Sequence, residues 1–170
     1  YVFNPGTFNV PTLAGARKSS ARRARFLLES VACLRKRLES MGSGLAVLLG
    51  KPQDVMPGLC GGSEGVFVTQ GICSEETKDE ALVDKNLKGE LHRVWGGSLY
   101  HRDELGWNPD SSPLSVTQFI RKVESTSCIQ NPIDVPGKIP PLPQVADCNG
   151  DLSKALTFLP GLEELGYPEE

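Results

Sequence analysis

Leu45-Ala46-Val47-Leu48-Leu49-Gly50-Lys51-Pro52 is the stretch on which the fold turns. Five apolar residues in a row, stopped by glycine and proline, are too short for a core helix and show no polar alternation. Such a run reads as a strand buried on both faces, as in a parallel sheet covered by helices. On its N-terminal side lies the clearest helix, from about Ala21 to Met41, with Ser19 or Ser20 to cap its start and Gly42 to stop it. Leu27, Val31, Leu34, Leu38 and Met41 recur at helical spacing and predict one apolar stripe, against a face bearing Arg35, Lys36, Arg37 and Glu39. On the C-terminal side, Pro52 opens a short helix to about Leu59, proline being suited to a helix start because its missing N–H is not needed there. Gly65 to Thr69 is the next strand, Ser74 caps a helix to about Leu87, and Leu91 to Trp95 is a further strand. Tyr1 to Phe3 is a short strand closed by Asn4-Pro5-Gly6, and residues 7–20 are a loop. Strand and helix alternate throughout, which predicts an α/β fold with a mostly parallel sheet flanked by helices.

Past Tyr100 the pattern thins. Val116 to Val123 is one more helix, with Phe119, Ile120 and Val123 on its apolar side. Residues 131–149 carry Pro132, Pro136, Pro140, Pro141 and Pro143 and predict an extended connector. The tail from Leu156 to Leu165 regains apolar content. The expected division is therefore an α/β domain over 1–130 and a proline-rich connector and tail over 131–170. The 170 residues suffice for one buried core, and 39% hydrophobic with 23% charged suits a globular chain rather than a disordered one. A net charge of -3 gives no general attraction to nucleic acid, so DNA is not an expected partner of this chain alone. No apolar run is long enough to span a membrane. Cys33, Cys60, Cys73, Cys128 and Cys148 are odd in number, widely spaced and without a C-x-x-C pair, which argues against a zinc site or disulfide framework and for a reducing compartment.

Three phrases, read in order, carry a family resemblance. The first is Arg23-Ala24-Arg25-Phe26-Leu27-Leu28-Glu29-Ser30-Val31, continuing to Leu34-Arg35-Lys36 and Gly50-Lys51-Pro52; the second is Cys73-Ser74-Glu75-Glu76. The third is Trp95-Gly96-Gly97-Ser98-Leu99-Tyr100-His101-Arg102-Asp103-Glu104-Leu105. Thr117-Gln118-Phe119, Lys122-Val123-Glu124 and Leu162-Glu163-Glu164-Leu165-Gly166 follow. In order and spacing they resemble the N-terminal α/β domain of the cryptochrome/photolyase family, most closely its DASH-type cryptochromes and plant photolyase-like members. The resemblance implies a flavodoxin-like (Rossmann-like) domain in which Tyr1 to Asn4 matches the second strand, the first strand and helix being missing from this sequence. It implies that flavin binding, lesion recognition and the tryptophan relay belong to a helical C-terminal domain that this chain lacks. FAD, and in some members a folate antenna, are then cofactors of the full-length context, and none is expected on this chain. Relatives of this type are often sent to plastids or mitochondria, which is the localisation the resemblance suggests.

In DASH-type members a glutamate just before the Cys-Ser-Glu-Glu phrase helps to fix the antenna pterin. Here that position is Gly71, inside Thr69-Gln70-Gly71-Ile72-Cys73, and glycine offers no acceptor for the pterin N–H groups. Gln70 and Glu75 are the candidate substitutes. Glu75, Glu76, Asp79 and Glu80 otherwise read as a solvated helix face with acids at the positive helix end. His101 beside Asp103 reads as a structural hydrogen bond. Gly61-Gly62-Ser63-Glu64-Gly65 precedes a strand rather than a helix, the wrong setting for a phosphate loop. The basic cluster Arg17, Lys18, Arg22, Arg23 and Arg25 sits at a helix start, where positive charge opposes the macrodipole; it predicts either a solvated end or contact with an acidic partner, phosphates or an anionic surface.

The sequence thus reads as the α/β half of a light-driven flavoprotein, a photoreceptor or DNA photolyase, with no photochemistry or enzymatic activity of its own. Its partner is then the missing helical flavin domain or another protein. The alternative is a scaffold domain that serves as an accessory subunit of a larger assembly. A nucleotide-binding enzyme of the wider flavodoxin-like class ranks last, because nothing at the strand ends supplies phosphate ligands.

Overall fold

A computed structural model describes residues 1–60, 65–142 and 152–168. Strand β1 (Val2–Phe3) leads through a short helical turn and loop to α1 (Ala21–Ser40), then β2 (Leu48–Leu49), α2 (Pro52–Leu59), β3 (Gly65–Thr69), α3 (Ser74–Asn86) and β4 (Glu90–Val94). The alternation expected from the apolar runs is therefore present. β1 pairs with β2 and β3 pairs with β4, both in parallel, with Phe3 opposite Leu49 and Phe67 opposite His92. Among the described residues the two pairs remain separate sheets. Helices α4 (Val116–Thr126) and α5 (Leu152–Thr157) complete the set.

Several boundaries differ from the sequence reading. Of the run 45–49 only Leu48 and Leu49 form ladder, because β1 offers just two residues to pair with; Val47 is nonetheless fully buried. α1 begins on Ser20, whose Oγ accepts the Arg23 N–H at 3.3 Å. Its buried residues are Ala24, Leu28 and Val31; of the expected stripe Leu27, Val31, Leu34, Leu38 and Met41, Val31 is buried and Leu27 packs against the core, whereas Leu34 is exposed. Arg35, expected on the polar face, turns its guanidinium inward, donating to Leu45 O at 3.2 Å and to Phe158 O at 2.5 Å. The cap of α3 is Cys73 rather than Ser74, since the Glu76 carboxylate reaches back to the Cys73 N–H at 3.1 Å. β4 starts one residue earlier than expected, and α4 runs on to Thr126.

One core holds the N-terminal pair together. Phe3, Phe8, Ala24, Leu28, Val31 and Val47 pack with Leu165 and Tyr167 from the tail. Each large apolar side chain buried there contributes ~1.5–3 kcal/mol. The tail is fixed further by the Tyr167 hydroxyl, which donates to Ser19 O at 2.9 Å. The last carbonyls of α5 meet donors from the body: Ala155 O accepts the Val47 N–H at 2.8 Å, and Arg35 brings a cation to that helix end. Residues 131–142 form no regular element and are mostly exposed, as the prolines predict. Pro143, Cys148 and the phrase Gly61-Gly62-Ser63-Glu64 lie outside the described residues.

Candidate functional site

β3 ends at Thr69, and the loop Gln70-Gly71-Ile72-Cys73 carries the chain into α3. In open α/β sheets such a loop at a strand's carboxyl end is where ligands bind, which makes it the candidate site. Gln70 extends the ladder, its N–H donating to Val94 O at 2.8 Å. The next three N–H groups all turn toward α3. Gly71 N–H donates to Glu80 Oε1, and Ile72 N–H and Cys73 N–H both donate to Glu76 Oε2 at 3.1 Å. Glu80 also accepts from Arg93 Nε at 3.2 Å, and Arg93 Nη2 binds Asp84 at 2.9 Å. The bond to Asp84 and, after it, the pair with Glu80 hold the Arg93 guanidinium pKa above its ordinary value. The four acids expected to be a solvated face thus divide. Glu76 and Glu80 seal the loop, and Asp79 accepts from Asn4 Nδ2 at 3.3 Å.

A side chain has no room at position 71. A Cβ placed there falls well inside contact with the Glu76 Cβ, and lies 2.9 Å from Glu80 Oε1 and 3.1 Å from Glu76 Oε2. A longer side chain at position 71 would have to displace Glu76 or Glu80, and the backbone donors beside it are already bound within the chain. Glu75, one candidate substitute, is held by Lys18 Nζ at 2.8 Å from each oxygen. Lys18 is thereby separated from the rest of the basic cluster. Arg17, Arg22, Arg23 and Arg25 are exposed along the loop and first turns of α1. The Lys18–Glu75 and Asn4–Asp79 contacts join residues too far apart in sequence for spacing to reveal them.

The third phrase forms a loop with its own local bonds. Trp95 Nε1 donates to Ser98 Oγ at 2.7 Å, with the Arg102 guanidinium 5.7 Å from the indole centroid. Trp107 meets Phe119 of α4 edge-on at 6.1 Å, under Lys122 Nζ at 4.4 Å. His101 Nδ1 accepts the Asp103 N–H at 3.3 Å, a turn cap.

Comparison with known proteins places this geometry. The chain is 34% identical over 178 residues to "Cryptochrome DASH, chloroplastic/mitochondrial" of Arabidopsis thaliana, covering 100% of this chain and 30% of that protein. It is 37% identical over 152 residues to "Cryptochrome DASH" of Gloeobacter violaceus, and 32% identical over 162 residues to "Blue-light photoreceptor PHR2" of Arabidopsis thaliana, of which it covers 36%. The crystal structure of a Synechocystis cryptochrome superposes with a TM-score of 0.77 at 26% identity, over 83% of this chain and 30% of that one. The chain spans about a third of the length of these relatives. The family model for DNA photolyase matches residues 1–143. Its parallel strand pairs, its helix order and these matches agree, and the chain belongs to the DNA photolyase family as part of its N-terminal α/β domain.

Proposed function

We propose that this chain is the α/β half of a light-driven flavoprotein and that it supplies scaffold rather than photochemistry. What supports this most directly is its coverage: it spans 30% of the Arabidopsis cryptochrome DASH while matching along its whole length. In this reading FAD sits on the helical domain, no residue of this chain is a catalytic residue, and the residues 1–130 present the surface on which that domain rests. Arg17, Arg22, Arg23 and Arg25 form an exposed cationic strip at the start of α1, suited to an acidic surface on a partner. Organellar localisation is part of the same proposal, carried by relatives whose names read chloroplastic/mitochondrial. No helix among the described residues is long and apolar enough to cross a membrane.

The test is flavin retention. The 170-residue chain is mixed with FAD, desalted and assayed for flavin fluorescence beside the protein from its native source. The proposal expects stoichiometric flavin on the native protein and none on the 170-residue chain; retention by the short chain overturns it.

A second reading, a scaffold subunit without an antenna, is favoured by one observation: Glu76 and Glu80 consume the donors of the loop at Gly71. In that case Gln70 and Glu75 do not replace the antenna carboxylate, and folate does not copurify with the native protein.

A further inference from the structure

Charge is unevenly spread along this chain. Eight of the 18 basic residues and one of the 21 acidic residues lie between Arg17 and Arg37, which leaves 20 acids against 10 bases in the rest of the sequence. An acidic protein therefore carries one strongly cationic element, α1 with the loop before it. Such a distribution turns that element toward an anionic surface and the remainder away from it.

The helix gathers this charge on one side. Ala24, Leu28 and Val31 point into the core. At about 100° per residue, the opposite side carries Arg22, Arg23, Phe26, Glu29, Lys36 and Arg37 within an arc of about 140°. All six are exposed. Lys18 and Arg35 are used inside the fold, but Arg22, Arg23, Lys36 and Arg37 form no ion pair among the described residues. The two cation pairs stand about 20 Å apart along the helix axis. Between them the Phe26 ring is 71% exposed. The hydroxyls on this side turn back into the helix, Ser30 Oγ donating to Phe26 O and Ser40 Oγ to Arg37 O, each at 2.7 Å. What α1 presents outward is a convex ridge with cations at both ends, one protruding ring and one acid.

We infer that this ridge docks on an anionic lipid surface, with Phe26 entering the headgroup layer while Arg22, Arg23, Lys36 and Arg37 bind lipid phosphates. Three features select lipid over other polyanions. A convex ridge with separated cation pairs matches a plane, which offers anions along its whole length. The excess of acids in the rest of the chain disfavours a nucleic acid, whose further phosphates would approach those carboxylates. An exposed ring among unpaired cations suits the headgroup layer, where apolar and cationic groups are taken up together. The apolar stripe of α1 stays in the core, so the contact is peripheral and reversible. Each basic side chain near an anionic leaflet strengthens binding about five-fold, and salt screens the attraction beyond ~10 Å at 0.1 M. This names the surface met by the cationic strip and rests on that part of the proposed function alone. Flavin retention is read in a separate assay, so either can fail while the other stands.

The test is co-sedimentation of the protein from its native source, and of variants at its native length, with vesicles. These are phosphatidylcholine alone, or phosphatidylcholine with roughly 30% phosphatidylglycerol, at about 0.05 M salt. The expected result is binding to the anionic vesicles only, released at about 0.5 M salt. Arg22→Ala with Arg23→Ala lowers it roughly 20-fold, and Phe26→Ser lowers it several-fold at unchanged charge. Glu29→Gln raises it about five-fold, a gain that a misfolded variant does not give. Absence of binding to the anionic vesicles overturns the inference, as does binding that the arginine and Glu29 variants leave unchanged. Tighter binding to polyglutamate or to a single-stranded oligonucleotide at equal charge concentration assigns the face to another partner and likewise overturns it.

Discussion

Replacing Gly71 by alanine tests the sealed loop with a single methyl group. That methyl enters well inside contact with the Glu76 Cβ, 2.9 Å from Glu80 Oε1 and 3.1 Å from Glu76 Oε2. Carbon atoms sit best at about 3.5–4.0 Å, so the first turn of α3 must shift. The Glu80 end can move, but the Glu76 Cβ is anchored to the helix backbone. Forcing a methylene into a filled site costs about 1–3 kcal/mol. Gly71 does not have a left-handed φ, so the substitution also stiffens the unfolded chain, returning about 0.4–1 kcal/mol. The net loss is then about 1–2 kcal/mol, a fall of roughly 2–8 °C in unfolding temperature for a domain of this size. Circular dichroism at the helix band reads it. Gly96→Ala is the control, since a Cβ there meets nothing within 4 Å and its φ is ordinary. A Gly71→Ala protein as stable as the control refutes the packing argument, and with it the claim that Glu76 and Glu80 close the loop.

Other expectations follow from the packing and caps. Phe3→Ala empties the centre of the core, where Phe3 is 1% exposed, and should cost about 3–5 kcal/mol in denaturant unfolding. Ser20→Ala removes the acceptor of the Arg23 N–H and should cost about 1 kcal/mol by the same assay. Arg22→Ala with Arg23→Ala should leave the unfolding temperature within error while weakening retention on an anionic resin, because both side chains are exposed. Tyr167→Phe should destabilise by about 0.5–1.5 kcal/mol, the worth of its buried bond to Ser19 O.

The sequence disclosed what local patterning controls. The apolar run at Val47, the proline start of α2 and the strand Gly65–Thr69 lie where the residues predict, because burial on both faces and helix-start chemistry are written locally. What it hid depends on contacts between distant residues. Arg35 belongs by its charge on the solvent face of α1, yet carbonyls of Leu45 and Phe158 draw it inward, and Ala24 and Leu28 join the expected Val31 in the buried set. Glu76 and Glu80 read as surface acids, and only the fold shows that they receive the loop N–H groups. Gly71 was legible as a missing acceptor. That its neighbours leave no space for one was not. The capping role of Cys73 follows from Glu76 three residues on, a signal present in the sequence but weaker there than the serine beside it.

We propose that this α/β chain works as the scaffold part of a flavoprotein about three times its length. The near-UV and blue absorption spectrum of the protein purified from its native source, taken with the mass of the polypeptide that carries it, tests this most directly. A flavin spectrum on a polypeptide of which these 170 residues are about a third is the predicted result. A colourless protein of 170 residues contradicts it.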